Sequence, residues 1–251
     1  MGGALVEGLL KGETFSPADI TVADPSQEVL NRFSTTGASI TTENNVAAEG
    51  ADIVCVVVKP WLVETVLKSI KESLNYNKQL LIVVAARVTA KSIQQWMAKD
   101  DGSLPPLFLC IPNIAIAQRA SMTFLVPVGT NEQQTRMVKD IFDELGNTIV
   151  TEERLLAAGT TLASCGIAYA MRYIRAASEG GVELGFKAKE AQQIVEQTVK
   201  GAVELLQASH MHPEAAIDLV ATPGGVTIKG LNEMEHAGFT SAVIRGLKAA
   251  L

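Results

Sequence analysis

The six residues Ile53-Val54-Cys55-Val56-Val57-Val58 are all apolar and mostly β-branched, so as a strand they have no face to offer water. Such a strand belongs in the middle of a sheet covered on both sides, the setting of a parallel sheet flanked by helices. The neighbouring sequence supplies the rest of that arrangement. Short β-branched runs at Ile20–Ala23, Leu80–Ala85 and Leu107–Ile111 alternate with amphipathic stretches, the βα pattern of a doubly wound sheet. Two further strands, Met122–Val126 and Thr148–Val150, flank a helix over Glu132–Leu145 that Gly146 stops.

From about Thr151 the strands cease, and the spacing predicts helices over Leu155–Glu183, Ala188–Ala208, Pro213–Val220, Val226–His236 and Thr240–Ala250. Gly180-Gly181 is predicted to break or bend the first of these. The chain therefore reads as an α/β, Rossmann-type, mostly parallel domain over residues 1–151, followed by an all-helical domain over 152–251. A largely apolar bundle this short is more easily stabilised by a second subunit, so the helical domain is expected to form a homodimer or a higher homo-oligomer.

Composition narrows the function classes. At 251 residues, 47% apolar and 19% charged, the chain is globular, and a net charge of -6 with 5% aromatics argues against a nucleic-acid surface. Cys55, Cys110 and Cys165 lie in apolar runs without CxxC or histidine spacing, so they read as buried thiols and no metal site is expected. There is no cationic leader and no apolar run long enough for a bilayer, so no membrane association and a cytoplasmic location are expected.

Two segments carry ligand chemistry. Met1-Gly2-Gly3-Ala4-Leu5 looks like the end of a glycine-rich phosphate loop running into its helix, with no strand in front of it. Asp24 stands roughly 20 positions later, closing Ile20–Ala23, where an acidic residue meets the adenine ribose of a dinucleotide. The second segment is Thr222-Pro223-Gly224-Gly225-Val226-Thr227-Ile228, which reads as an anion cradle on a helix start. Pro223 stiffens the entry, the paired glycines allow close approach, and free N–H groups at Gly225, Val226 and Thr227 can hold a carboxylate without lysine or arginine. Thr227 adds a hydroxyl. His212 and His236 flank helix ends, where a capping or solvated histidine is the commoner case, and they are left out of the site.

Taken together, these features make the chain resemble the pyrroline-5-carboxylate reductases over essentially its whole length. The resemblance rests on Ala51–Pro60, which is similar to a family strand ending in Lys59-Pro60 beside the nicotinamide, on Pro112-Asn113, on Glu179–Gly185, on the Thr222–Ile228 cradle and on Glu235–Ile244. It implies reduction of a cyclic imine, 1-pyrroline-5-carboxylate, to proline with NADPH or NADH, and an interlocked dimer built by the helical domain. It implies cofactor contacts from Gly2, Gly3, Asp24, Asn44, Val58, Lys59, Pro60 and Asn113. It further implies substrate contacts from Gly224, Gly225, Val226, Thr227 and Ser164, with Ser164 as a donor and Thr227 as the residue that polarises or protonates the ring nitrogen. Asp24 favours NADH, while Ser26 leaves room for NADPH.

The chain departs from the family pattern at several places. The first strand and first glycines are missing, Ala163-Ser164-Cys165-Gly166-Ile167 replaces Ser-Gly-Ser-Gly-Pro, and Arg87, Leu109 and Ile114-Ala115 stand where Gly, Arg and Thr-Pro are usual. The abrupt beginning in mid-motif reads most simply as Met1 being an internal methionine of a longer product. The alternative is a non-catalytic or incomplete member that dimerises but holds dinucleotide poorly.

Overall fold

The computed structural model describes residues 1–251, which form two compact units, Met1–Ser164 and Cys165–Leu251. The first contains α1 (Gly2–Lys11), β1 (Thr21–Ala23), α2 (Gln27–Asn31), β2 (Ser39–Thr41), α3 (Asn44–Ala48), β3 (Ile53–Val56), α4 (Val63–Ile70) and β4 (Leu80–Val83). It continues through α5 (Ala90–Met97), β5 (Leu107–Ile111), β6 (Ser121–Val128), α6 (Glu132–Glu144), β7 (Gly146–Val150) and α7 (Leu156–Gly159). β1 and β2 pair in parallel as a separate two-stranded sheet; the other strands run in the order β3-β4-β5-β6-β7, parallel except between β5 and β6. The mostly parallel α/β fold agrees with the sequence. β2 was not expected, because Ser39-Ile40-Thr41 is short and mostly polar.

Alternate residues of the five-stranded sheet feed two hydrophobic layers. Val56, Leu81, Val83, Leu107 and Leu109 pack with Leu67 and Ile70 of α4 and Ile93 and Met97 of α5. Leu80, Ile82, Phe108, Cys110 and Leu125 pack with Leu5 of α1 and with Val138 and Phe142 of α6. Every residue of β4 and β5 is buried, as a central parallel strand requires.

β3 behaves differently and corrects the expectation drawn from its composition. It is an edge strand: Ile53 and Val54 are half-buried and Cys55 is exposed. Its Asp52 and Val56 carbonyls accept the Leu80 and Val84 N–H groups of the β4 side at 2.9 Å, and no strand pairs with its other edge. β1 likewise pairs only with β2, so the sheet is divided between β1 and β3. The thiols divide accordingly, with Cys110 buried, Cys165 half-buried and Cys55 exposed on the open edge.

Gly146 stands just past the Leu145 C-cap of α6, the helix stop expected from sequence, and it is also the first residue of β7, at φ 143°, where a Cβ would lie 2.1 Å from the Ser121 carbonyl oxygen of β6. The preceding Glu144 anchors the far end of α1. Its carboxylate accepts the backbone N–H groups of Glu13 and Thr14, while Arg119 donates to the carbonyls of Glu144 (3.0 Å) and Lys11 (3.3 Å). The Glu13 and Thr14 N–H bonds hold the Glu144 carboxyl below the usual carboxylate range. A depressed folded pKa contributes stability above the ordinary value and loses it as pH falls through the folded one. Wild type is therefore expected to melt higher than Glu144→Gln at pH 7 and to lose that margin below the ordinary glutamate value of 4.5, in thermal melts of both proteins from pH 7 to 3.

The second unit holds α8 (Gly166–Glu183), α9 (Ala188–Ser209), α10 (Pro213–Val220), α11 (Val226–His236) and α12 (Phe239–Ala249). The single helix expected from Leu155 is divided: α7 gives way to a wider π turn at Thr160–Cys165 before α8 begins. Gly180-Gly181 does not break α8, which continues to Glu183. Gly181 is where α9 comes close, since a Cβ there would lie 2.9 Å from the Ala191 Cβ, and the helix ends before Gly185 at φ 105°. Ala191 and Ala216 are the only buried apolar side chains of this unit, whereas Leu184, Phe186, Leu219, Val226 and Ile244 are exposed. The helices thus leave many large apolar side chains uncovered.

Candidate functional site

β1 to β5 are parallel within their sheets, and ligands of open α/β sheets bind beyond the carboxyl ends of such strands. In the first unit the expected cofactor residues gather around those ends. Met1 precedes α1 without a side-chain cap, no acidic residue lies in the first turn, and the first intrahelical bond runs from Leu5 N–H to the Met1 carbonyl. The Gly2, Gly3 and Ala4 N–H groups are therefore free donors at the positive end of the helix. A Cβ on Gly2 would stand 3.6 Å from the Val57 Cβ, and one on Gly3 3.6 Å from the Phe33 ring, so α1 starts between the end of β3 and the segment after α2.

The remaining residues line the same edge. Asp24 follows β1, and its Oδ1 accepts the Ser26 N–H at 2.9 Å; Ser26 Oγ in turn caps α2 through the Val29 N–H. Half-buried Asn44 opens α3. Val58 follows β3 and packs on its core, exposed Lys59 comes next, and Pro60 begins a single 3-10 turn. Asn113 follows β5, 4% exposed, with Oδ1 accepting the Ala115 N–H at 2.9 Å and its own N–H donating to Ser121 Oγ at 3.1 Å. Free amides for phosphate and a carboxylate for ribose hydroxyls are the groups a dinucleotide needs, and the residues present fit it.

Ser164 takes a role other than the one expected. Its hydroxyl donates to the Pro112 carbonyl at 2.9 Å, so its only proton is committed to holding the Pro112-Asn113 turn rather than being free for substrate.

Arg87 follows β4 with φ 64°, a left-handed backbone that an L side chain adopts at a cost of about 1–2 kcal/mol. Arg87→Gly removes that cost and adds part of it back through a more flexible unfolded chain. The expected net gain is about 0.5–1 kcal/mol, read as a higher urea midpoint at unchanged slope.

Of the substrate residues expected from sequence, Ser164 closes the first unit, and Gly224, Gly225, Val226 and Thr227 lie in the second, where the Gly225 N–H, expected to be free for a carboxylate, is instead spent within the turn that starts at Thr222. Gly225 N–H donates to the Thr222 carbonyl at 3.0 Å, with Pro223 and Gly224 (φ 72°) between them, the pattern of a type II turn. Gly225 is the N-cap of α11 without a side-chain bond, and no acidic residue lies in the first turn. The Val226, Thr227 and Ile228 N–H groups are thus unpaired in the helix, and half-buried Thr227 has no partner for its hydroxyl. Only glycine fits at 225, because a Cβ would stand 2.5 Å from Thr222 Oγ1 and 3.0 Å from the Thr222 carbonyl oxygen.

Sequence reasoning missed the anchor that fixes α1. Gly8 abuts the 3-10 turn Ile114–Gln118 that follows Asn113, so closely that a Cβ would lie 2.4 Å from the Ile116 carbonyl oxygen. The available signal was a third glycine inside a ten-residue helix, an expense that usually marks close packing. A hollow of about 410 Å³ lined by Pro127, Asn131, Arg136 and Lys139 lies past the end of β6, which runs opposite to β5 and so opens at the other edge of the sheet.

Residues 153–251 match the family model described as pyrroline-5-carboxylate reductase dimerisation, and residues 1–87 match NADP oxidoreductase coenzyme F420-dependent. The chain is 37% identical to pyrroline-5-carboxylate reductase 1 of Dictyostelium discoideum, covering 98% of itself and 46% of that protein. It is 32% identical to pyrroline-5-carboxylate reductase 2 of the same organism over 98% of itself and 86% of the relative. The reductase of Synechocystis sp. is 30% identical, with 100% and 92% covered. Among solved structures, the Coxiella burnetii pyrroline-5-carboxylate reductase has a TM-score of 0.87 at 27% identity, covering 98% of this chain and 91% of that one. Plasmodium falciparum pyrroline carboxylate reductase with NADP bound shares the fold, with a TM-score of 0.87 at 24% identity over 98% and 90% of the two chains.

Proposed function

The chain belongs to the pyrroline-5-carboxylate reductase family, and we propose on that premise that it reduces 1-pyrroline-5-carboxylate to L-proline with NAD(P)H, the last step of proline biosynthesis. The observation that carries this reading is the likeness to full-length reductases over 98% of the chain, with 86% of the relative covered. The Gly225-capped start of α11 supports it, because it is a carboxylate cradle that uses backbone N–H groups alone.

When bound, the reduced nicotinamide supplies the hydride. The chain's own residues bind and orient. The first-turn N–H groups of α1 hold the dinucleotide phosphates, Asp24 the adenine ribose, and Asn44, Val58, Lys59, Pro60 and Asn113 the rest of the cofactor. The Gly224-Gly225-Val226-Thr227 turn grips the substrate carboxylate through its backbone. The Thr227 hydroxyl polarises or protonates the ring nitrogen. An imine is basic enough to arrive partly protonated, so no strong general acid is needed and catalysis comes mostly from positioning. The exposed apolar side chains of the second unit and the match to a dimerisation family support a homodimer or higher homo-oligomer. No helix is long and apolar enough to cross a membrane, and a cytoplasmic location suits the proposed step.

The divided sheet favours a second reading, a chain that dimerises but holds dinucleotide poorly. One experiment separates the two: nicotinamide absorbance followed on adding pyrroline-5-carboxylate to the 251-residue chain with NADH or NADPH. Oxidation of either cofactor is the expected result. An intact oligomer that oxidises neither would replace the first reading with the second.

A further inference from the structure

We infer that Asp24 makes this chain select NADH over NADPH, a specificity that rests on the dinucleotide-binding role proposed above. The sequence alone leaves the choice open, because Ser26 could receive the 2'-phosphate of NADPH. The local geometry closes most of that route. The Ser26 N–H, which would be the natural backbone donor to a phosphate, is taken by Asp24 Oδ1 at 2.9 Å. The Ser26 oxygen already accepts the Val29 N–H, leaving one neutral hydroxyl proton as the remaining donor.

The charges nearby have the wrong sign for a second phosphate. Asp24 belongs to no ion pair, and Glu28 lies in the first turn of α2. The basic residue in this segment, Arg32, is turned elsewhere: its guanidinium pairs with Glu7 at 2.7 Å and lies 5.8 Å from the centre of the Phe33 ring. A 2'-phosphate would therefore meet a carboxylate without a cation to offset it, whereas free 2'- and 3'-hydroxyls can donate to the unbonded Asp24 oxygen. Burial strengthens the effect moderately, since Asp24 and Ser26 are both half-buried.

Isothermal titration of the 251-residue chain with NADH and NADPH, without substrate, tests this through binding alone. NADH is expected to bind at least about ten-fold tighter, the effect of little more than one unfavourable like-charge contact. Asp24→Asn keeps an oxygen to accept the Ser26 N–H while removing the charge. In this variant NADPH is expected to gain about ten-fold while NADH weakens only modestly. Equal or tighter NADPH binding by the wild type would overturn the inference, as would an Asp24→Asn variant with an unchanged ratio. If NADPH binds tighter and pyrroline-5-carboxylate is still reduced, the specificity claim alone fails. If neither nucleotide binds or is oxidised, the reductase reading fails, and the specificity claim with it.

Discussion

Gly225→Ala is expected to lower kcat/KM for pyrroline-5-carboxylate by about 100-fold or more while leaving nucleotide affinity unchanged. The new methyl would stand 2.5 Å from Thr222 Oγ1 and 3.0 Å from the Thr222 carbonyl oxygen. The hydroxyl can rotate away. The carbonyl cannot, because it accepts the Gly225 N–H at 3.0 Å and closes the turn through Pro223 and Gly224. Relief therefore requires the turn itself to open, which moves the Gly225, Val226 and Thr227 amides together and carries the Thr227 hydroxyl with them. A displacement of about 1 Å in a site that works by positioning is enough for a loss of two orders of magnitude. α11 begins after the altered residue and the proposed cofactor residues lie in the other unit, so far-UV circular dichroism and NADH titration should both match wild type. A folded variant with normal nucleotide binding and wild-type kcat/KM would show that the cradle does not hold the substrate.

The parts of this molecule that a sequence reveals are those in which local chemistry and tertiary setting agree. β4 and β5 are apolar throughout and buried throughout, and Pro213–Val220 and Val226–His236 are helices with the expected bounds. The Thr222–Thr227 turn could be read because proline followed by two glycines permits few backbone paths. β3 misled for the opposite reason. Its composition specifies a central strand, but pairing decides what is central, and nothing pairs with its outer edge. Gly181 misled similarly: helix propensity assigns two consecutive glycines to a break, whereas the approach of Ala191 turns one of them into a packing requirement. Ser164 shows a limit of another kind: residue type identifies a hydroxyl as a donor without saying which group takes its proton, and here the Pro112 carbonyl accepts it.

Gly8→Ala and Gly3→Ala make the same chemical change in the same helix and are expected to have opposite effects on stability. In the interior of α1 alanine is favoured over glycine by about 1 kcal/mol, a gain that Gly8→Ala begins with in full and Gly3→Ala, at the second helical position, in part. At Gly3 the new methyl meets the Phe33 ring at 3.6 Å, an ordinary contact, so most of that gain survives. At Gly8 it would lie 2.4 Å from the Ile116 carbonyl oxygen and 3.2 Å from Leu145 Cδ2. The Ile116 backbone has little freedom to move: Asn113 caps its turn, its carbonyl receives the Arg119 N–H, and Arg119 is itself bonded to the carbonyls of Glu144 and Lys11. Overpacking against a fixed backbone costs up to about 3 kcal/mol, which outweighs the propensity term and leaves Gly8→Ala about 2 kcal/mol less stable than wild type. The strain is shared by α1 and the turn after Asn113, two elements that bear proposed cofactor residues, so nucleotide affinity should fall with stability in this variant. Urea unfolding of both variants beside wild type decides the matter. A Gly8→Ala protein as stable as wild type would mean that α1 can lift from the Ile116 turn, and that the Glu144 and Arg119 bonds do not fix its position.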